Sequence, residues 1–383
     1  MNILGIGLDY LMLNKDDVRG DVCQRQIDYA KYLENFNLVI YTPRLLGLKQ
    51  ESWSKNLTII PTNSKSKMNF VIDGFRICSS ICKKHKIDVI SSEDPFITGV
   101  IGYLLNMRFN IPLNIQTHVD FCNNPYWLKQ RIINRIFNSI GKFILKRADS
   151  IRVGTSYEKN KLIQTLGIDS KKINVIPVNS DLSNFKYPDG NKIRNEFLNN
   201  KFDRILLFSG RLVKQKDIPT LFKAFQIVLK NQPSTVLVII GSGLEEKRLK
   251  NMAKIINIQN NVIFMGSIDH SRISEFLAAC DVYTVSSIFE GTCIAMAEAM
   301  ASSKPVVATK FAGAMDLIID GETGFKVNLG DYKAFAEKVI YLLNNPKIAK
   351  TIGENAAQKV ETVFSNNQNI DKVIKMWEET AKC

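Results

Sequence analysis

Residues 286–301 read SSIFEGTCIAMAEAMA and hold two carboxylates, Glu290 and Glu298, with seven residues between them. A β-branched run at 282–285 precedes them, a loop with Gly291 follows it, and a helix is expected from near Thr292. Eight helical steps at ~1.5 Å rise span about 12 Å, although Glu290 stands before the helix proper. Glycosidase acid/base pairs sit about 5–9.5 Å apart, so the spacing suits that chemistry poorly. It suits two separated hydroxyl-rich groups better. Between them lies a helix N-terminus, whose free N–H groups and positive dipole end attract phosphate. A ligand ordered as sugar, diphosphate and ribose would match, and so would two solvated Glu side chains on an ordinary helix.

Other polar residues stand where strands are expected to end. In SGRLVKQKD, residues 209–217, Arg211 and Lys216 come between a strand and the next helix. Two cations at a strand's carboxyl edge can neutralise a diphosphate, or be ordinary surface residues of a basic chain. Gly241-Ser242-Gly243 lacks the third glycine of a dinucleotide fingerprint and the Gly-Lys-Ser/Thr of a P-loop, so a tight turn explains it. In QTHVD, residues 116–120, His118 can hydrogen-bond a sugar hydroxyl or serve as a structural loop residue. Gly20, after Arg19, lies between the first strand and a helix from about Val22, where its missing side chain allows close approach of a ligand.

A metal site is not expected. The chain has no Asp-x-Asp, and Cys78, Cys82 and His85 share a predicted helix without a fourth ligand. No Gly-x-Ser-x-Gly elbow indicates serine hydrolase chemistry. Cys82, Trp53, Cys383, Phe311 and Phe325 read as packing or surface residues.

The elements that must position these groups alternate. Short runs, apolar on both faces, occur at 3–8, 38–41, 57–60, 89–91, 113–116, 150–153 and 173–178, then at 205–208, 236–240, 262–265, 282–285 and 305–308. Such runs are strands of parallel sheets covered by helices, and helical patterns at 217–230 and 245–256 fall between them. The alternation predicts an α/β chain of two doubly wound parallel-sheet units facing a cleft. Residues 181–200, with Pro188, Asp189, Gly190 and several Asn, read as the linker, which divides the chain at 185/186. A last helix at about 367–380 is expected to pack back on the first unit, so that 186–365 forms the second.

Length and composition agree: 383 residues suit two domains, and 45% hydrophobic with 23% charged residues suits a packed globular chain. The longest apolar run, 96–107, is too short to span a bilayer. No basic leader precedes the first apolar stretch, and the seven scattered Cys read as reduced thiols, so a cytoplasmic protein is expected. The net charge of +14 favours anionic partners, or reflects an AT-rich coding sequence that prefers Lys. Residues 126–147 carry Lys129, Arg131, Arg135, Lys142, Lys146 and Arg147 without an acid, on a pattern of apolar residues at helical spacing. Such a helix lies on an anionic membrane or packs on the sheet with a solvated basic face.

Six segments in order, GRLVKQKD, VLVIIGSGLEEKRL, NVIFMGSI, the Glu290–Glu298 segment, KPVVATKFAG and DGETGFKV, resemble the retaining GT-B glycosyltransferases of family four, also called group 1. The likeness continues more weakly through RADSIRVGTS and INVIPVNSDLSNF. The resemblance implies two Rossmann-like domains and transfer of a sugar from a nucleotide-diphosphate donor to a hydroxyl acceptor, in surface polysaccharide or glycolipid assembly. It implies Arg211 and Lys216 on the donor diphosphate, Glu298 on the ribose, Glu290 beside the reacting carbon, and the backbone of Gly291, Thr292 and Cys293 around the phosphates. It implies His118 near the donor sugar, Gly20 in the N-terminal glycine loop, no metal, and a glycan or lipid-linked acceptor at the inner membrane face. Asp217 and Thr292-Cys293 depart from the family's usual Gly and Phe-Gly, Val178-Asn179-Ser180-Asp181 from its Asn-Gly-Val-Asp, and Arg19-Gly20 from a Gly-Gly pair. Two other readings of the chain are a sugar-nucleotide epimerase of the same fold and, on charge alone, a basic nucleic-acid-binding protein.

Overall fold

Runs of Val, Ile and Leu with no polar face become central strands, because helices cover both sides of each sheet. A computed structural model describes residues 1–13, 22–178, 180–186, 189–198, 202–364 and 366–383. Gly20 and Asn179 lie outside them. The chain forms two units, Met1–Asn179 with Asn366–Cys383, and Ser180–Ser365.

The first unit holds β1 (Asn2–Gly7), β2 (Asn35–Ile40), β3 (Glu51–Ser54), β4 (Leu57–Pro61), β5 (Val89–Ser92), β6 (Leu113–Gln116), β7 (Ser150–Val153) and β8 (Ile173–Val175). They lie in the order β3-β4-β2-β1-β5-β6-β7-β8. All neighbours are parallel except β3, which folds back on β4 as an edge hairpin. The sequence reading missed β3 because its residues, ESWS, carry no apolar alternation. The last helix, Asn366–Thr380, belongs to this unit. Its Trp377 is buried, stands edge-on to Tyr29 and Phe36, and donates to Asn114 Oδ1 at 3.3 Å.

The second unit holds β9 (Arg204–Ser209), β10 (Thr235–Ile240), β11 (Val262–Gly266), β12 (Val282–Val285), β13 (Val306–Thr309) and β14 (Phe325–Val327), all parallel, in the order β11-β10-β9-β12-β13-β14. Along β9, Ile205 and Leu207 enter one buried core while Leu206 and Phe208 enter the other. That alternation covers the sheet on both faces. β14 escaped the sequence reading because it is only a three-residue edge strand, and Phe325 is one of its two buried side chains.

Three expectations are corrected. Residues 181–200 are not a bare linker: they hold a 3₁₀ turn, Ser183–Phe185, and a helix, Asn191–Leu198. The boundary falls at 179/180 rather than 185/186, because Leu182 and Phe185 bury their side chains in the second core. The basic segment is two helices, Pro125–Gln130 and Ile133–Leu145, not one. Arg131 adopts extended backbone at the break, and Asn134 Nδ2 donates to the Trp127 carbonyl at 2.7 Å, satisfying an acceptor the interruption frees.

Candidate functional site

In an open α/β sheet the ligand crevice lies beyond the carboxyl ends of the strands where the strand order reverses. In the second unit this point is the β9/β12 pair: β10 and β11 extend to one side, β13 and β14 to the other. Arg211 and Lys216 follow β9, and Glu290 through Cys293 follow β12. The two loops are stitched together. Ile288 N donates to Gln215 O at 2.8 Å, Gln215 Nε2 to Phe289 O at 2.7 Å, and Ser286 Oγ to Lys216 O at 2.7 Å.

Lys216 Nζ forms a short ion pair with Glu290 Oε1, which also accepts from Ser287 Oγ at 2.8 Å. Burial alone would lower the Lys216 pKa, but the adjoining Glu290 carboxylate outweighs it and raises it. The ammonium is therefore held charged at the mouth of the switch point. Arg211 is exposed beside it, with no ion pair among the described residues.

The expected helix start at Thr292 moves to Ile294, because Cys293 takes a left-handed conformation at φ 52° as the N-cap. Asp217 is also left-handed, at φ 43°. These are the two described positions where the family pattern has glycine, so the backbone path is kept without its usual residue. Asp217 holds it by accepting from Thr220 Oγ1 at 2.7 Å. The Cys293 thiol, closed in by burial, has its pKa pushed up to about 12 and is no nucleophile.

Two glycines keep these loops close. A Cβ on Gly241, at φ 123°, would stand 2.0 Å from Gly210 O, and one on Gly313 2.5 Å from Gly291 O. The Gly241-Ser242-Gly243 segment thus gives close backbone packing behind the Arg211 loop, and no Rossmann fingerprint.

Glu298 lies inside the helix Ile294–Ala301 and is buried, with Oε1 at 2.8 Å from His270 Nε2. His270, whose ring also meets Phe185 edge-on, escaped the sequence reading because no local motif marks it. Only the fold carries it to Glu298.

In the first unit the strand order reverses at β1/β5. Glu93 follows β5 there, and Gly7 leaves it room: a Cβ at Gly7 would stand 2.7 Å from Glu93 Oε2. Arg25, Glu93, His118 and Arg152 line one narrow polar cavity. Arg152, buried on β7, donates to Gln116 Oε1 at 3.0 Å, Ile176 O at 3.0 Å and Pro177 O at 2.8 Å. His118 keeps an exposed surface, yet crowding by protein, with the charges of Arg152 and Arg25, pushes its pKa down. The direction suffices: the imidazole is neutral at pH 7. Glu93 was not singled out from sequence. Burial raises its carboxyl pKa to about 7, against the pull of Arg25 and Arg152 and with the repulsion of Asp94 and Asp9. A near-neutral carboxyl in a polar cavity at a switch point is a candidate for function.

Of the sequence-predicted residues, Lys216, Glu290, Gly291, Thr292, Cys293 and Arg211 share the two stitched loops of the second unit, and Glu298 lies one helix turn further on. His118 belongs to the first unit. Cys78 is buried and Cys82 half-buried on the helix Lys67–Lys84, with His85 at its end. Among the described residues, no three His, Cys, Asp or Glu side chains are grouped as metal ligands.

Comparison with known proteins gives the family and the fold. Residues 189–359 match the family described as Glycosyl transferases group 1, and residues 28–182 match Glycosyltransferase Family 4. The capsular polysaccharide biosynthesis glycosyltransferase CapM of Staphylococcus aureus is 31% identical over 291 residues, covering 74% of each chain. The UDP-Gal:alpha-D-GlcNAc-diphosphoundecaprenol alpha-1,3-galactosyltransferase of Escherichia coli is 23% identical over 358 residues, covering 92% of this chain and 86% of that one. Sucrose-phosphate synthase of Thermosynechococcus elongatus superposes with a TM-score of 0.81 at 22% identity, covering 99% of this chain and 98% of that structure, and so shares the fold. The chain belongs to the family four, or group 1, glycosyltransferases and has the GT-B fold.

Proposed function

We propose that this glycosyltransferase moves a sugar from a nucleotide-diphosphate donor to a hydroxyl acceptor with retention of configuration and without a metal, in surface polysaccharide or glycolipid assembly. The observation that carries the reading is the Lys216–Glu290 pair beside a helix start at the β9/β12 switch point. Likeness to a capsular polysaccharide enzyme and to one using UDP-Gal supports the donor class and the setting.

Arg211 and Lys216 would neutralise the diphosphate, with the Gly291–Cys293 backbone beside it. Glu290 would sit against the donor sugar, and Glu298, steadied by His270, would accept from the ribose hydroxyls. Neutral His118 would hydrogen-bond a sugar hydroxyl. The bond from the anomeric carbon to the phosphate oxygen breaks as the acceptor oxygen bonds to that carbon from the same face. The acceptor proton passes to the departing phosphate. The protein's share is positioning and charge stabilisation.

The test is Lys216→Ala and Glu298→Ala, each expected to lower transfer at least a hundredfold while the chain still folds cooperatively, with a lowered melting temperature because each leaves a buried polar partner unpaired. Full activity in both would remove the donor site. Thermal stabilisation against a panel of nucleotide sugars identifies the donor, since a ligand of the folded state raises Tm by mass action. Activity retained in EDTA, and product NMR showing the donor's anomeric configuration, are the expected results for metal independence and retention.

We also propose peripheral contact with an anionic membrane, at the inner face, through the helices Pro125–Gln130 and Ile133–Leu145. Ile132 is 85% exposed and Ile136 54%, and Arg131 and Arg135 stand among them. No helix among the described residues is long and apolar enough to cross a membrane. Loss of vesicle co-sedimentation in Ile132→Ser/Ile136→Ser is the expected outcome; undiminished sedimentation would refute this contact.

A further inference from the structure

We infer that the first unit carries a second binding site, for the phosphate or diphosphate of an amphiphilic phosphate ester, centred on Arg44, Lys65 and Arg76. This rests on the glycosyltransferase reading only in making that ester the acceptor.

The site is a cavity of about 550 Å³ at the carboxyl ends of β2 and β4. That volume lies within the usual range of small-molecule pockets, roughly 300–1,000 Å³. Arg44, Lys65 and Arg76 line it, against a single carboxylate, Asp73. Among the described residues these three cations form no ion pair. Three like charges around one cavity repel each other until an anion joins them, and two guanidinium forks match phosphate oxygens.

The walls are fixed before any ligand arrives. Arg44 N donates to Ser64 O at 3.0 Å, and Ser64 N to Thr42 O at 2.8 Å. Asn63, at φ 47°, where Asn is tolerated, donates through Nδ2 to Leu48 O at 2.7 Å and accepts from Leu48 N at 3.1 Å. The loops after β2 and β4 are thereby tied together. The third wall is the helix Lys67–Lys84, capped by Ser66 and presenting Asn69, Asp73 and Arg76 at one-turn spacing.

A free phosphate would need nothing more, but the same elements also expose large apolar side chains. Leu45 is 99% exposed, Met68 73%, Ile72 61% and Leu46 48%. Leu45 and Leu46 directly follow Arg44, while Met68 and Ile72 precede Asn69 and Asp73 by one residue each. A charged cavity on elements that also expose large apolar side chains matches a ligand with an anionic head and an apolar tail. The sheet order then gives the reach. From β2 and β4 to His118 after β6 is three to four strand spacings, roughly 14–19 Å at about 4.8 Å each. An acceptor held by its phosphate here would therefore carry its reacting hydroxyl about 14–19 Å away along the same sheet edge.

The test is calorimetric titration of the full chain with farnesyl diphosphate below its micelle concentration, with inorganic diphosphate and farnesol as the other probes. Farnesyl diphosphate is expected to bind at least tenfold more tightly than either. Arg44→Gln/Arg76→Gln is expected to weaken it at least tenfold, and Leu45→Ser/Met68→Ser to reduce it to the affinity of inorganic diphosphate, with melting temperatures within a few degrees of wild type. Lys65→Gln, the mildest change, provides a folded variant with a smaller loss in the same direction. Equal binding of farnesyl and inorganic diphosphate would make the ligand a soluble phosphate and overturn the proposal. So would indifference of the Arg44/Arg76 variant, or a loss confined to Lys216→Ala, which would place the ligand in the other unit. No turnover enters the measurement, so failure of sugar transfer and failure of this site are read separately.

Discussion

Lys216, Glu290 and Glu298 are the residues on which the proposed donor site depends, and Asp217 and Glu93 carry residue-level predictions of their own. Asp217 keeps a left-handed backbone that costs most L-residues about 1–2 kcal/mol. It recovers part of this through its bond from Thr220. Asp217→Gly relieves the backbone and loses that bond, of about 1 kcal/mol, so urea unfolding is expected to place it near wild type. Asp217→Val is expected to lose about 2 kcal/mol; equal stability of the two variants would contradict the left-handed assignment. Glu93 sets the pH behaviour. Its carboxyl pKa rises from 4.5 to about 7 on folding, so the folded chain binds the proton more readily than the unfolded one. Its contribution to stability is present below about pH 4.5 and is lost as the pH climbs towards 7. Glu93→Gln lacks that loss. Its stability relative to wild type is expected to rise between pH 5 and pH 8 by up to about 3 kcal/mol, read from unfolding at both values. A constant difference would show that Glu93 titrates normally.

At the scale of elements, the loops of the second unit depend on packing from behind. The helix Ala312–Leu317 brings Gly313 against the carbonyls of Gly291 and Thr292. Gly313→Ala must push that loop outward, and the expected result is donor binding weakened at least tenfold with a smaller change in Tm. Undiminished binding would show the loop free to yield. The last helix packs on the first unit's core, and its Trp377 also lines the polar cavity there. Trp377 is fully buried against Tyr29 and Phe36, and Trp377→Ala is expected to cost about 3–5 kcal/mol in urea unfolding. Its place in the first unit explains why a chain whose second half is a contiguous α/β unit ends by crossing back.

For the whole molecule, the charge of +14 acts as a general field on top of the two specific cationic sites. Sedimentation with anionic vesicles is expected to fall steeply as salt rises past physiological strength, where the screening length is about 8 Å, whereas salt-independent sedimentation would mean apolar contact alone. The sequence by itself determined much of this protein. Twelve short runs located twelve of the strands because strands buried in a parallel sheet are mostly apolar on both faces, and the order of six motifs pointed to the family. Arg211, Lys216, Glu290 and Glu298 were legible because each stands beside a strand end or in a short contiguous motif. Residues without local periodicity were not legible: the polar hairpin strand β3, the helix Asn191–Leu198 read as linker, and the break at Arg131. Tertiary structure alone decided the rest. It paired β9 with β12 and so joined Lys216 to Glu290 across 74 positions. It brought His270 to Glu298, raised Glu93 beside Gly7, and tied Arg44 to the loop after β4. Each of these depends on strand order and burial, which are long-range properties that no stretch of neighbouring residues encodes.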